Sequence, residues 1–261
     1  MNDIEIAGKA RLDILRAASK VGNIGAHIAP SLSLVEIALA VLQECESDTF
    51  VLSKGHGALG YYAAMHQLGM ITDEQFDSFE ADGGDYPGQP SRSDRNGIVY
   101  SGGSLGMGLS YAEGLAYIHR DRRIFALMGD GELNEGSVWE AAALAARHNL
   151  SNLTVMIDQN NYQSDGTCES VMAMDLAKIW DAYGRNVVCC DGHDMMQIRA
   201  AICNTDESKP TAVLARTVKG KGVSFMERNN AWHHNILKQA DYEKAVQEIT
   251  SFSTRNGGNI C

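Results

Sequence analysis

The chain reads as a single three-layer α/β/α domain with a mostly parallel sheet, and three observations predict this. Short apolar runs at Ile124–Met128, Leu153–Ile157 and Thr211–Ala215 lack polar alternation, as strands buried on both faces do. A run with helical character, 137–148, separates the first two, giving a strand–loop–helix–strand unit from Ile124 to Gly166. At 261 residues and 44% hydrophobic content, the chain is long for one domain but within range for one α/β domain with a sizeable core.

Bulk properties exclude several function classes. A formal charge of −11 argues against nucleic acid or an acidic membrane surface as partner. No apolar run is long enough to span a bilayer; Leu34–Leu42 is short and carries Glu36. The N-terminus MNDIEIAGK lacks the basic-then-apolar layout of a signal peptide. The 6 cysteines show no metal-ligand spacing, and neighbouring Cys189 and Cys190 in a strand run point to opposite faces. Reduced, buried thiols in a cytoplasmic protein are the expectation.

Taken in order, residues 4–21 have helical spacing, with Ile14 and Leu15 beside Ala18 and Val21. A Gly- and Pro-punctuated loop, GNIGAHIAPSLSLVEI, then opens a helix with Ser31 or Ser33 as N-cap. His27 sits in that loop, where a histidine is ordinarily solvated. A strand at Phe50–Leu52 runs into Ser53-Lys54-Gly55-His56-Gly57 and another helix. Small residues flanking a histidine at a helix start suit close approach of a phosphate; a helix cap with an incidental histidine is the plainer reading. A short helix, Asp73–Phe79, precedes a long turn-rich loop of a size that is often functional. Glycines 102, 103, 106 and 108 would weaken a plain helix. A helix start crowded against a ligand explains them better than a close helix crossing does.

In the central unit Asp130 ends one strand and Asn160 follows the next, so both fall on one edge of a parallel sheet. A carboxylate and an amide oxygen are hard ligands suited to Mg²⁺ or Ca²⁺. Magnesium held by so few protein groups usually holds phosphate oxygens as well. Gly129 and Gly131 let backbone approach that phosphate, and the helix start beyond adds N–H donors. Gly-Asp-Gly alone reads as a turn; Asn160-Asn161 one strand later tips the balance toward a site. Glu132 and Glu135 fall in the first turn of a helix, where acids suit the dipole.

Residues 172–184 read as a helix with Trp180 and Tyr183 on its apolar side. A strand at 187–190, a turn and a helix follow; Asp191-Gly192-His193-Asp194 tempts a metal-site reading, but a turn with Asp194 as N-cap is preferred. After the strand run at 211–217, Lys219 and Lys221 between glycines place ammonium groups near phosphate or form a solvated basic turn. A last helix runs to about Ile249, and residues 253–261 read as a frayed tail beyond a domain of residues 1–252.

Gly129-Asp130-Gly131 and Asn160-Asn161, separated by residues 132–159, resemble the thiamine-diphosphate-binding motif. With SKGHG at 53–57, GGSLGMGLS at 102–110 and VKGKGVSF at 218–225, the chain from about Ala7 to about Ile249 resembles the N-terminal half of a transketolase. The resemblance implies the diphosphate-binding (PP) domain of the thiamine-diphosphate-binding fold. It implies Mg²⁺, or Ca²⁺ in its place, on Asp130, Asn160 and the Tyr162 backbone carbonyl. Cofactor contacts are implied for His56, Gly103, Ser104, Leu105, Gly131, Glu132, Asn160, Lys219 and His233. His27 is implied to face substrate hydroxyls, and His233 to reach both phosphate and substrate; Glu135 is implied to lie at a subunit interface near a second cofactor. His27, His56, His233 and Glu135 form the implied catalytic set. Two departures stand out: Gln89 replaces the histidine of Gly-His-Pro, and His234 replaces a glycine. They leave a non-standard sugar donor open.

In the family the cofactor supplies the chemistry that moves a two-carbon ketol unit from a ketose to an aldose. The glutamate that activates it lies on a separate pyrimidine-binding domain, and the chain ends before one. The expectation is therefore one subunit of a split transketolase, working with a second polypeptide that carries that domain and glutamate. An α₂β₂ assembly follows from closed two-fold symmetry. The alternatives are half of another thiamine-diphosphate enzyme (deoxyxylulose-phosphate-synthase-like, or transferring glycolyl or acyl groups) and a non-catalytic cofactor-binding subunit. Intact Asp130, Asn160, His27 and His56 weigh against the last.

Overall fold

The computed structural model describes residues 2–44 and 48–256. In chain order the elements are α1 (Asp3–Lys20), α2 (Ile28–Ser33), α3 (Val35–Glu44), β1 (Thr49–Leu52), α4 (Ala58–Gln67), α5 (Asp73–Asp77), α6 (Met107–Ile118), β2 (Ile124–Gly129), α7 (Gly136–Arg147) and β3 (Leu153–Gln159). They continue with α8 (Cys168–Met172), α9 (Leu176–Ala182), β4 (Asn186–Asp191), α10 (Met195–Cys203), β5 (Thr211–Arg216) and α11 (Gln239–Asn256). The strands form one parallel sheet in the order β1-β2-β3-β5-β4.

Successive strand residues point to opposite faces. Phe125, Leu127 and Met156 join a core under α1, α3, α4 and α10. Ile124, Ala126, Met128, Val155 and Ile157 join a second core under α6, α7 and α9. Both faces are covered, so the strands read as continuous apolar runs and the fold is the expected three-layer α/β/α. The register opposes Gly129 to Asp158, and Asp158 to Ala215, so the strand ends that carry polar residues lie side by side.

Several local expectations are corrected. Ser31 and Ser33 do not cap a helix: α2 begins at Ile28 with His27 at its N-cap position, and both serines are fully buried. Burying α2 against the sheet edge turns Ser33 Oγ toward Asp158 Oδ2, 2.5 Å away. The helix at Asp73 is capped by a Thr72–Gln75 box and stops at Asp77. The expected helix over 172–184 is broken, because the Asp175 side chain accepts from Lys178 N and restarts it as α9; Trp180 is fully buried there. Helix α11 runs past Ile249 to Asn256, so it takes in the first part of the expected tail; residues 257–261 lie outside the described residues. Among the described cysteines only Cys190 is buried, Cys189 on the opposite face is exposed, and all are free thiols. Cys45 and Cys261 lie outside the described residues. No described helix is long and apolar enough to cross a membrane.

Candidate functional site

The carboxyl ends of β1, β2, β3 and β5 each deliver polar side chains to one place. Lys54 follows β1, Asp130 follows β2, Asp158 and Asn160 close β3, and Thr217 follows β5. All five are buried. Lys54 Nζ donates to Asp158 Oδ2 and, at 3.1 Å, to the Pro30 carbonyl. Thr217 Oγ1 donates to Asp158 Oδ1. Burial opposes the Asp158 charge, but the Lys54 ammonium and these hydrogen bonds hold its carboxyl below the usual range.

Asp130 is placed differently. Its carboxylate accepts from Gly131 N at 2.9 Å and from Asn161 N, and forms no ion pair among the described residues. Burial and the neighbouring Asp158 charge push its carboxyl up to about 7. Asn161 holds a left-handed φ of 64°, which folds the chain back so that Tyr162 N donates to Asn160 Oδ1 at 3.0 Å.

A cavity of about 80 Å³ opens above Asp130. Of the residues expected here, His56, Leu105, Asp130, Gly131, Glu132, Asn160, Tyr162, Lys219 and His233 line it together. Gly103 and Ser104 are not in its lining, and Glu135 is at the N-cap of α7. His27 does not line the cavity, but its ring stacks on His56 at 4.2 Å between centroids. His233 stands edge-on to both rings, and His234 edge-on to His27 at 4.6 Å. Burial, with the nearby imidazole and ammonium charges, holds His27 and His233 down at about 3 and also lowers His56. These three imidazoles are therefore neutral at physiological pH.

Lys219 Nζ bridges Asn230 Oδ1 at 2.8 Å, His233 Nδ1 at 3.0 Å and the Gln163 carbonyl at 3.1 Å. Burial and the Lys54 charge lower it to about 8. The ring nitrogens of His27, His56 and His233 lie within 4.8 Å of one another, a spacing that admits a metal ion. The Lys54 and Lys219 charges that depress these histidines disfavour a cation there equally, so the cluster suits an anion or a neutral hydroxyl ligand.

Glu132 is not a helix-dipole acid. It lies in a short 3₁₀ turn, 3% exposed, and ties three loops together. Its carboxylate accepts from Ser53 Oγ at 2.5 Å, Gly106 N at 2.9 Å and Gly129 N at 3.3 Å, while burial raises its carboxyl. The glycine-rich stretch before α6 is also explained mainly by protein packing. A Cβ at Gly106 (φ 78°) would meet Glu135 Cβ at 2.6 Å, and one at Gly108 would meet Ser53 Cβ at 2.4 Å. Only Gly103 among these four has open space beside it.

Other expectations separate from the site. Lys221 lines a different cavity, of about 1020 Å³, with Arg11, Glu36 and His193. There the Asp191–Asp194 stretch forms the preferred turn: Asp194 caps α10, and His193 Nε2 accepts from Val218 N while Nδ1 faces Glu36 Oε2 at 3.1 Å. Gln89 Oε1 is buried beside Gly55, with no hydrogen-bond partner among the described residues.

The residues present fit a metal-bound diphosphate. Asp130 is a buried carboxylate without an ion-pair partner among the described residues, and Asn160 supplies a second hard oxygen. Gln163 lines the same cavity, and its buried Nε2 has no hydrogen-bond partner among the described residues. Gln163 is not anticipated from the sequence; neither are Asp158, Ser33 and Thr217, which join the site only through long-range contacts.

A hard divalent donor set beside ammonium, amide and imidazole donors, on the carboxyl edge of a parallel sheet, defines an α/β domain that binds a cofactor through its phosphates. The chain belongs to the transketolase family: residues 40–255 match the family described as "Transketolase, thiamine diphosphate binding domain". It is 34% identical to a subunit of the apulose-4-phosphate transketolase of Actinobacillus succinogenes, over 95% of this chain and 96% of that protein. It is 32% identical to a 6-deoxy-6-sulfo-D-fructose transketolase subunit of a Clostridium species, over 95% and 98% respectively. It is also similar to a crystal structure of a transketolase variant from Pichia stipitis, with a TM-score of 0.87 and 26% identity, covering 95% of this chain and 40% of that one. The chain thus matches the subunit-length relatives nearly end to end and spans less than half of that longer transketolase.

Proposed function

We propose that this chain is the N-terminal subunit of a split, thiamine-diphosphate-dependent transketolase. A separate polypeptide supplies the pyrimidine-binding domain and the activating glutamate, in an α₂β₂ assembly. Support comes from the similarity to proteins named as subunits and from a chain length that is close to theirs. The observation that carries the reading is Asp130: a buried carboxylate with no ion-pair partner among the described residues, lining a cavity together with Lys219, His56 and Gln163.

In this reading Asp130, Asn160 and the Tyr162 carbonyl hold Mg²⁺, or Ca²⁺ in its place. Lys219, His56, His233 and Gln163 donate to the diphosphate. Gly131 and Glu132 help line the cavity, and Leu105, with its chain neighbours Gly103 and Ser104, faces the rest of the cofactor. When bound, thiamine diphosphate supplies the nucleophilic carbon and the electron sink for ketol transfer. Neutral His27 and His233, together with His56, orient donor hydroxyls through hydrogen bonds. In the same reading Glu135, at the N-cap of α7, lies at a subunit interface near a second cofactor. Free thiols and the phosphorylated ligand fit a cytoplasmic location.

The test is turnover by the purified chain with and without the second polypeptide, using a panel of ketose donors and one 2-oxo acid. Ketose turnover only by the pair is the expected result. Turnover by the chain alone would defeat the split-enzyme reading, and preference for the 2-oxo acid would reassign the reaction.

A further inference from the structure

The Lys54–Asp158 pair has no role in the mechanism above, yet it is the most buried charge pair in contact with the site. Asp158 is fully buried and Lys54 is 7% exposed. Oδ1 of Asp158 takes the Thr217 hydroxyl; Oδ2 takes Lys54 Nζ, Ser33 Oγ and, at 3.4 Å, Asn160 Nδ2. Ser33 Oγ also receives Asn160 Nδ2 at 3.4 Å and Lys54 Nζ at 3.2 Å.

This arrangement decides which way the Asn160 amide faces. An ionised carboxylate only accepts hydrogen bonds, so the amide NH₂ must turn toward Asp158. The oxygen is then turned the other way, toward Tyr162 N and the cavity. Lys54 Nζ, Ser33 Oγ and Thr217 Oγ1, all donating to Asp158, hold its carboxylate in place as an acceptor beside Asn160 Nδ2. Without the pair, the amide loses the contact that tells its oxygen from its nitrogen.

We propose that Lys54 and Asp158 are a positioning pair, with Ser33 as its hinge, that holds Asn160 oxygen-outward and thereby sets the affinity of the site for a divalent ion. The inference rests on the reading of Asp130 and Asn160 as ligands. Lys54 and Asp158 act through Asn160 in this role, and Lys54 also lines the cavity. Outer partners of metal ligands typically change metal affinity by about 10- to 100-fold when removed, and the same range applies here.

Charge and positioning make opposite forecasts for one variant. Lys54→Met removes a positive charge close to the site, so charge alone tightens divalent binding. Positioning predicts weaker binding, because Asp158 is no longer held. The experiment measures the Mg²⁺ half-saturation of thiamine diphosphate binding by calorimetry on the full chain together with its partner. It compares wild type, Lys54→Met, Asp158→Asn and Ser33→Ala, with circular dichroism in EDTA as the folding control. A rise of about 10- to 100-fold is expected for Lys54→Met and Asp158→Asn. Ser33→Ala leaves the charge pair intact and guards against misfolding of the other two; it is expected to raise the half-saturation about threefold or more, as loss of one buried hydrogen bond does. Tighter binding in Lys54→Met, or unchanged half-saturation in folded Asp158→Asn or Ser33→Ala, overturns the proposal. Absence of Mg²⁺-dependent binding in wild type would instead sink the cofactor reading itself.

Discussion

Two buried carboxylates of this protein have opposite fates. Glu36, on α3, is paired on both sides: Arg11 donates to its two oxygens at 2.8 and 2.7 Å, and His193 adds a third contact. Burial pushes its carboxyl up, but Arg11 and His193 more than reverse this and bring it to about 2. Asp130, after β2, has two backbone donors and the Cys168 side chain but no ion-pair partner among the described residues; burial and the Asp158 charge outweigh these contacts and the Lys54 charge, and its carboxyl rises to about 7. Both sit beside cavities, and the larger one lies next to Glu36. The comparison teaches that cavity size is a poor guide to chemistry. A charge satisfied by its own chain belongs to the architecture, and one left without a counter-ion waits for a ligand.

The sharpest way to break the contrast is to remove a partner from the satisfied network. Arg11→Met leaves Glu36 buried and uncompensated, and is expected to cost about 3–5 kcal/mol of stability in chemical unfolding. Cofactor affinity of the folded fraction should not change; a selective loss of metal binding would erase the distinction between the two regions. Asp130→Ala should do the reverse. It is expected to weaken Mg²⁺-dependent thiamine diphosphate binding by more than about a hundredfold, beyond the range of an outer partner, with little loss of stability. Unchanged affinity in calorimetry would count against Asp130 as the anchor.

The next effect follows pH. Asp130 moves from 3.8 unfolded to about 7 folded, so its contribution is favourable below 3.8 and is lost as pH rises to about 7. His27 and His233 run the other way, from 6.5 to about 3, so their contribution is present above 6.5 and is lost as pH falls toward 3. Metal-free Asp130→Asn should therefore gain on wild type as pH rises from about 4 to 7. At about 1.4 kcal/mol for each tenfold change in proton affinity, less the weakened backbone hydrogen bonds, the gain should level off near 2 kcal/mol. Thermal unfolding in EDTA across that range measures it, Mg²⁺ with cofactor should cancel it, and a difference independent of pH would refute it. The smallest expected effect concerns Gln89. Its Oε1 is buried and unpaired, so a donor hydroxyl that satisfies it is worth about one hydrogen bond, 0.5–1.5 kcal/mol. Gln89→Leu should raise KM for the preferred ketose by about three- to tenfold with kcat little changed; equal KM values would remove Gln89 from donor recognition.

Much of the site is legible in the sequence because its chemistry sits in contiguous motifs. Gly129-Asp130-Gly131 and Asn160-Asn161 follow adjacent strands, and the parallel register brings them to one edge. SKGHG marks the end of β1 in the same way. Glu132 reads as a helix-dipole acid because sequence proximity to α7 is visible, whereas its bonds to Ser53 and Gly106 span distant parts of the chain. Glycines 106 and 108 read as crowded by a ligand for the same reason: the atoms that crowd them belong to Glu135 and Ser53. Ser33 and Thr217 give no signal, since a buried hydroxyl partner is indistinguishable from a cap or turn residue until the chain is folded.

The amino-acid order alone determined the layer architecture and the strand-tip residues, because apolar periodicity and the end of a strand are local properties. Only the tertiary structure decided which charges are paired. That depends on side chains brought together from far along the chain: Arg11 with Glu36, Lys54 with Asp158, and no ion-pair partner for Asp130 among the described residues. A carboxylate looks the same in sequence whether or not it has a counter-ion, and burial makes the difference large enough to define a site.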